Sequence, residues 1–128
     1  MHVELHTIED HELMKYSYAV LTCGKKHIFR GTAHHINPGE VLQSKQQIGI
    51  ISTANPEYTT ALLSAAKFNS VLLTRFGGKL SHLALVGNEL NAKGQDVCVL
   101  MVPYADLIDE GSEIVLDLDL NRLEIKFG

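Results

Sequence analysis

The sequence lacks tryptophan, and aromatic residues of all kinds make up only 6% of the chain. Its net charge is −4, so it has no excess of lysine and arginine to neutralise the phosphates of a nucleic acid. Few aromatic side chains are available on which bases could stack. These absences exclude the usual nucleic-acid-binding surfaces, and we expect no nucleic-acid partner.

Long apolar runs are also missing, since no segment reaches the roughly 20 residues that a membrane-spanning helix needs. Residues 1–10 are polar and acidic and do not resemble a signal peptide. There are only two cysteines, Cys23 and Cys98, and both lie in apolar, strand-like segments. We interpret them as free thiols rather than a disulfide. Together these features predict a cytoplasmic protein without a membrane partner.

The chain shows no internal repeat, low-complexity stretch or linker, and its 128 residues fit a single domain over residues 1–128. The first half predicts three strands, over residues 16–23, 27–35 and 47–52. The second half predicts a helix over 56–68, a strand over 71–74, a helix between Ser81 and Gly94, a strand over 96–102, a turn or short helix over 104–111, and hairpin strands over 113–120 and 123–127. This order is typical of a mixed α/β domain.

Three residues mark the predicted helices. Asn55 stands before Pro56, where its side chain is expected to cap the first helix. Ser81 is expected to cap the second helix in the same way. Gly87 lies inside that second helix and should weaken it by about 1 kcal/mol relative to alanine.

The most informative segment joins the strand over 71–74 to the second helix through Gly77 and Gly78. Such a junction suits an anion, because backbone N–H groups and the positive end of the helix dipole meet there. Ser81 adds a hydroxyl, and His82 adds an imidazole whose unprotonated nitrogen is a nucleophile near neutral pH. These residues fit a covalent phosphoryl carrier, although a histidine at a helix start more often lies at the surface or in a cap.

The wording of this segment resembles a known signature. Residues 77–86 read GGKLSHLALV and are followed by Glu89 and Leu90. The phosphohistidine signature of phosphoenolpyruvate-utilising enzymes, among them pyruvate phosphate dikinase and phosphoenolpyruvate synthase, reads Gly-Gly-x-Thr-Ser/Cys-His-Ala-Ala-Ile-Val-Ala-Arg-Glu. His82 falls on the histidine that carries the phosphoryl group in that family, and Ser81 falls on the small polar residue before it. The resemblance covers roughly residues 29–127, but only residues 71–90 are specific.

The resemblance implies a three-layer β/β/α swivelling phosphohistidine domain, here a stand-alone protein. It also implies that His82 is phosphorylated and shuttles the phosphoryl group between an ATP-grasp-type partner and an acceptor site. The chain itself would bind no cofactor. Mg-ATP or phosphoenolpyruvate would be held by a separate nucleotide-binding protein similar to that of pyruvate phosphate dikinase. The expected phosphate-binding residues are Gly77, Gly78, Ser81, Lys79 and Arg75.

Two positions depart from the signature. Leu80 stands in place of the usual threonine, and Asn88 in place of the usual arginine. We hypothesise that Arg75 and Lys79 supply the missing positive charge. The departures also favour an alternative, a non-catalytic binding or regulatory module that keeps the swivelling fold, so two functions stay open.

No metal site is expected. The histidines outside the signature have no spacing that joins them to cysteines as zinc ligands; they are His2, His6, His11, His27, His34 and His35. The run Asp117-x-Asp119-x-Asn121 begins like a calcium loop, but Arg122 stands where that loop needs glycine. We interpret these carboxylates as the solvent-facing residues of a strand.

Overall fold

A curled seven-stranded sheet and two α-helices form the fold in the computed structural model, which describes residues 18–126. The strands are β1 Ala19–Thr22, β2 Ile28–His35, β3 Gln47–Thr53, β4 Val71–Phe76, β5 Cys98–Met101, β6 Glu113–Asp117 and β7 Arg122–Lys126. The helices are α1 Thr59–Lys67 and α2 His82–Ala92. The predicted mixed α/β class is confirmed. Of the predicted first and last strands, residues 16, 17 and 127 lie outside the described part of the chain.

The strands follow the order β1-β5-β4-β3-β2-β6-β7 across the sheet. The four middle strands, β5, β4, β3 and β2, run parallel to one another. β1 adds an antiparallel edge beside β5, and the β6–β7 hairpin extends the opposite side from β2. α1 and α2 supply the crossovers from β3 to β4 and from β4 to β5, and residues 36–46 connect β2 to β3 without an α-helix.

Two apolar cores lie on the two faces of the sheet. Successive strand residues alternate between faces, so Leu72 joins the core under the helices, whereas Val71 and Leu73 join the other core. Ile114 of β6 and Ile125 of β7 pack into the same core as Val71 and Leu73. The curl of the sheet therefore lets strands cover the face that the helices leave open.

The first helix begins later than predicted. Residues Pro56–Tyr58 form a 3₁₀ turn, and α1 starts at Thr59. The Asn55 side chain makes no capping hydrogen bond, so that prediction is wrong; its backbone carbonyl instead accepts the Tyr58 N–H at 3.1 Å. Proline brings no N–H to be capped, and the tight turn satisfies the first free group of the segment.

Smaller differences concern the ends of elements. β4 extends two residues beyond the predicted 71–74, and the β6–β7 turn covers residues 118–121, so Arg122 belongs to the strand rather than to the turn. Gly94 does end α2, with φ of +88° and its N–H donating to the Asn91 carbonyl at 3.1 Å. Cys98 is buried, Cys23 is half-buried, and both are free, as predicted.

No helix within residues 18–126 has the length and apolar character needed to cross a membrane.

Candidate functional site

The candidate site lies where the parallel strands end. β4 finishes at Phe76, residues 77–81 form the connection that we call the glycine loop, and α2 begins at His82. The carboxyl ends of β2, β3, β4 and β5 meet at this edge of the sheet, where open α/β sheets bind ligands. The structure thus brings most of the predicted site residues together in one exposed loop and the first residue of a helix; they are Gly77, Gly78, Lys79, Ser81 and His82.

The two glycines of the loop have different roles. Gly77 has φ of +151°, and a Cβ added there would lie 2.8 Å from the Cβ of Ala54. Only glycine satisfies both constraints. Gly78 has no such φ, and a Cβ added to it would meet nothing within 4 Å. Gly77 therefore shapes the loop against the end of β3, whereas Gly78 borders open space.

The first turn of α2 presents free backbone donors. The Leu83 N–H donates to the Ala54 carbonyl at 3.2 Å, which ties the helix start to the end of β3. Within residues 18–126, the N–H groups of His82 and Ala84 have no hydrogen-bond acceptor. Ala84 is fully buried, so of these two groups the His82 N–H is the one that an anion can reach at the positive end of the helix.

Ser81 occupies the N-cap position of α2 but does not cap it. Its backbone is extended, with ψ of 159°, and its side chain makes no capping bond. The hydroxyl instead donates to the Gly78 carbonyl at 2.6 Å, beside the Ser81 N–H at 3.0 Å from the same oxygen. The predicted side-chain cap is therefore wrong: in a cap the hydroxyl oxygen would accept a helix N–H, whereas here the hydroxyl donates to the Gly78 carbonyl and its oxygen accepts no helix N–H. Ser81 holds the glycine loop closed on itself.

His82 is exposed, and its ring makes no hydrogen bond or ion pair with any other residue in the described part of the chain. Two apolar side chains near it in sequence are also exposed: Leu80 at 86% and Phe76 at 57% of their surfaces. The imidazole is therefore accessible to a reactant from solvent or from a docked protein.

The two predicted cations are placed differently. Lys79 is exposed within the glycine loop and forms no ion pair with the residues described here. Arg75 follows Leu73 by two residues in β4 and so shares the sheet face opposite the helices. Its Nη1 lies 3.2 Å from Asp106 Oδ2, and its guanidinium lies 4.8 Å from the centre of the Phe76 ring. Lys79 thus lies in the loop that precedes His82, whereas Arg75 forms an ion pair with Asp106.

Asn88 has a structural partner. The Thr22 hydroxyl of β1 donates to Asn88 Oδ1 at 2.6 Å, and Asn91 Nδ2 donates to the same hydroxyl oxygen at 3.2 Å. Asn88 follows His82 by six residues in the helix, a rise of about 9 Å along the axis. Position 88 therefore fastens α2 to the edge strand and adds no charge to the glycine loop.

Sequence reasoning missed two residues beside the site. Ala54 accepts the Leu83 N–H and limits Gly77, and Asp106 neutralises Arg75. The small residue between a strand and Asn55-Pro56 was a weak signal for Ala54. Asp106 had none, because it meets β4 only through the folded sheet.

Two of the other histidines pair with carboxylates. His27 Nδ1 lies 2.8 Å from Asp119, and His34 Nδ1 lies 2.7 Å from Glu110. Among the described residues, no group of three or more His, Cys, Asp and Glu could hold a metal ion. The predictions for His2, His6 and His11 lie outside the described residues.

None of the models of known protein families matches this chain, and a search among curated proteins finds no match either.

Proposed function

We propose that this chain is a phosphoryl carrier that is phosphorylated on His82 and passes the phosphoryl group to an acceptor. One observation carries the proposal: an exposed imidazole stands at the first residue of α2, beside the open space at Gly78 and the His82 N–H, which has no acceptor within residues 18–126. A nucleophile and an anion cradle thus lie within one helical turn. The resemblance of residues 71–90 to the phosphohistidine signature supports the same function.

The chemistry follows from this arrangement. The unprotonated ring nitrogen of His82 attacks the phosphorus of the donor, a bond from nitrogen to phosphorus forms, and the bond to the leaving oxygen breaks with its electron pair. The phosphorylated ring then either loses the proton on its other nitrogen and becomes neutral, or keeps that proton and stays a cation. Phosphoryl transfer depends chiefly on positioning and charge stabilisation. The helix start and the Lys79 ammonium supply that stabilisation here.

The donor belongs on a second protein in this proposal. We infer an ATP-grasp-type or pyruvate phosphate dikinase-like nucleotide-binding partner, which holds Mg-ATP or phosphoenolpyruvate. Leu80 and Phe76 support a docked partner, because large apolar side chains exposed beside a polar site are typical of surfaces that another protein covers. Docking would also remove water from around His82 and strengthen its interaction with the phosphoryl group.

The second candidate is a binding or regulatory module without transfer chemistry. Leu80 brings no hydroxyl to the loop, Asn88 is bound to Thr22, and Arg75 is paired with Asp106. Lys79 is then the cation that the loop retains. This candidate predicts an unmodified His82.

Intact-mass spectrometry under alkaline conditions separates the two functions. The chain is isolated from its native cells beside a His82→Ala variant, with His27→Ala as the matched control for an exposed histidine outside the loop. The carrier predicts one phosphoryl group that is stable in base and lost in acid, present in the parent and in His27→Ala and missing from His82→Ala. If no such group forms after the chain is mixed with its cell extract and Mg-ATP or phosphoenolpyruvate, the carrier is refuted and the binding module stands.

A further inference from the structure

The two cysteines of the chain face each other at the edge of the sheet. β1 and β5 are antiparallel neighbours in which Thr22 is opposite Val99. The ladder has a register shift between Val20 and Thr22 and ends at the pair Thr22–Val99; continued by one residue, it places Cys23, directly after β1, opposite Cys98, the first residue of β5. Both pack into the same core, Cys98 within it and Cys23 at its margin. Sequence positions 23 and 98 are therefore adjacent in space.

The two thiols have unequal properties. A hydrogen bond from the Cys98 thiol lowers the pKa of Cys23. Burial and the negative charge of Asp96 oppose this lowering of the pKa, whereas the positive charge of His27 and the hydrogen bond from the Gly24 N–H add to it. The same hydrogen bond, followed by burial, raises the pKa of Cys98 well above its usual value. Cys23 is thus the more acidic of the two thiols, and Cys98 is the less acidic.

Access is unequal as well. Cys98 is buried, whereas Cys23 is half-buried and lies beside the exposed segment Lys25, Lys26 and His27. Its thiol is 3.5 Å from the Lys26 carbonyl, a weak contact that leaves the sulfur free to react. Because Cys98 is buried, an oxidant from solvent reaches Cys23 first.

We propose that Cys23 and Cys98 form a thiol-oxidation site, at which a hydroperoxide oxidises Cys23 and Cys98 converts the product into an intrachain disulfide. The Cys23 thiolate attacks one peroxide oxygen, the O–O bond breaks, and sulfenic acid forms with release of water or an alcohol. The Cys98 sulfur then attacks the sulfenic sulfur, the S–O bond breaks, and a second water leaves. Two thiols and one hydroperoxide thus give one disulfide, and the two electrons lost by sulfur reduce the peroxide.

This site lies apart from His82 and goes beyond the proposed carrier function. The disulfide would fasten β1 to β5 directly after Thr22, the residue that binds α2 through Asn88 and Asn91. Oxidation therefore strengthens the strand on which the second half of α2 rests.

The test uses the full chain, reduced and then exposed to an equimolar amount of hydrogen peroxide. Remaining thiols are blocked with an alkylating reagent, and the intact mass and a non-reducing peptide map are recorded. We expect a monomer that has lost about 2 Da, takes up no alkyl group and yields a linked peptide pair containing Cys23 and Cys98. A His82→Ala chain should give the same result.

Two variants assign the roles. Cys98→Ser should stop at a Cys23 sulfenic acid that dimedone traps, and Cys23→Ser should react with peroxide at least roughly tenfold more slowly than the parent. The proposal is overturned if the parent keeps two alkylatable thiols, forms disulfide-linked dimers instead, or carries a sulfinic acid on Cys23 beside a free Cys98. The measurement on the parent needs no variant, so a folding defect of either serine variant leaves the test intact.

Discussion

The two helices lie on the same face of the sheet and connect neighbouring parallel strands, but they are held there by different means. α1 buries four apolar side chains within nine residues: Ala61, Leu62, Ala65 and Ala66. α2 is longer and buries three residues, Leu83, Ala84 and Gly87. It adds polar contacts in its second half, where Asn88 and Asn91 bind Thr22. α1 also makes a polar contact, in which Ser64 Oγ accepts the Leu42 N–H at 2.9 Å, but that partner lies in the loop before β3 and not in the sheet. The helix near the edge of the sheet is thus hydrogen-bonded to a strand, whereas the helix over its centre is hydrogen-bonded to a loop.

The segments that precede the two helices differ in burial. The Pro56–Tyr58 turn precedes α1, and the Tyr58 side chain is buried against it, with its hydroxyl 3.0 Å from Ser52. α2 starts directly after the exposed glycine loop. At the start of α2 the glycine loop and His82 are accessible to a ligand, whereas Leu83 and Ala84 of the same turn are fully buried.

The largest expected effect concerns the apolar anchor of α1. Leu62 is fully buried, so Leu62→Ala should lower the free energy of unfolding by about 2–5 kcal/mol. Leu63→Ala is the matched control. Leu63 follows Leu62 in sequence but is 48% exposed, so the expected loss of unfolding free energy is below about 1 kcal/mol. Urea denaturation followed by circular dichroism measures both. Equal losses would show that α1 does not pack on the sheet through the face described.

The polar anchor of α2 comes next. The Asn91 amide donates to the Thr22 hydroxyl at 3.2 Å and to the Val97 carbonyl at 3.0 Å, and it accepts the Val97 N–H at 2.9 Å. Asn91→Ala leaves these groups unpaired, so we expect a loss of about 1–3 kcal/mol in the same urea measurement. The exposed Glu89→Ala in the same helix serves as control and should change stability by less than about 0.5 kcal/mol. A loss no larger than the control's would remove the distinction between the two anchors.

Gly87 tests how closely α2 approaches β1. A Cβ added there would lie 2.5 Å from Thr22 Cγ2, so Gly87→Ala should cost about 1–3 kcal/mol of overpacking, reduced by about 1 kcal/mol of helix propensity. Thr22→Ser removes that methyl group but keeps the hydroxyl that binds Asn88 and Asn91. In a Thr22→Ser chain, Gly87→Ala should therefore become neutral or stabilising. A double-mutant cycle that shows no coupling would contradict this contact.

The smallest effect is a pH dependence away from both helices. Burial raises the pKa of Glu110, but hydrogen bonds from the His35 N–H and from His34 outweigh it, and the net pKa lies below its usual value of 4.5. A lowered carboxyl pKa stabilises the fold above the unfolded value, and that stability is lost as the pH falls through the folded value. Glu110→Gln should flatten the fall in stability between about pH 5 and pH 3, by less than about 1 kcal/mol because the side chain is 59% exposed. An unchanged acid profile would place the acid-sensitive groups elsewhere.

Local pattern was enough to predict the class of the fold and the membership of the glycine loop. Apolar alternation identified the strands, and the site from Gly77 to His82 is continuous in sequence, so no long-range contact was needed to assemble it. The side of the sheet on which Arg75 lies also follows from local pattern, because it stands two residues after the buried Leu73.

The failed predictions involve residues with more than one possible hydrogen-bond partner or role. Ser81 had both α2 and the Gly78 carbonyl within reach, and the shape that Gly77 takes against Ala54 decided between them. Ala54 is distant in sequence, so the outcome depended on tertiary structure. Gly87 is similar: its cost to the helix was predictable, but its contact with Thr22 was not.

In a glycine-rich loop, a glycine is usually needed both for folding and for leaving room for a ligand. The open space at Gly78 separates these two requirements. Because neither its backbone angle nor its surroundings require glycine, a library of all amino acids at position 78 should fold almost uniformly, whereas the same library at position 77 should not. If a residue at position 78 abolishes binding or phosphorylation while the chain stays folded, its side chain overlaps the space that the bound molecule occupies. The largest side chain that position 78 tolerates without loss of binding therefore measures the space beside the ligand, even before the ligand has been identified.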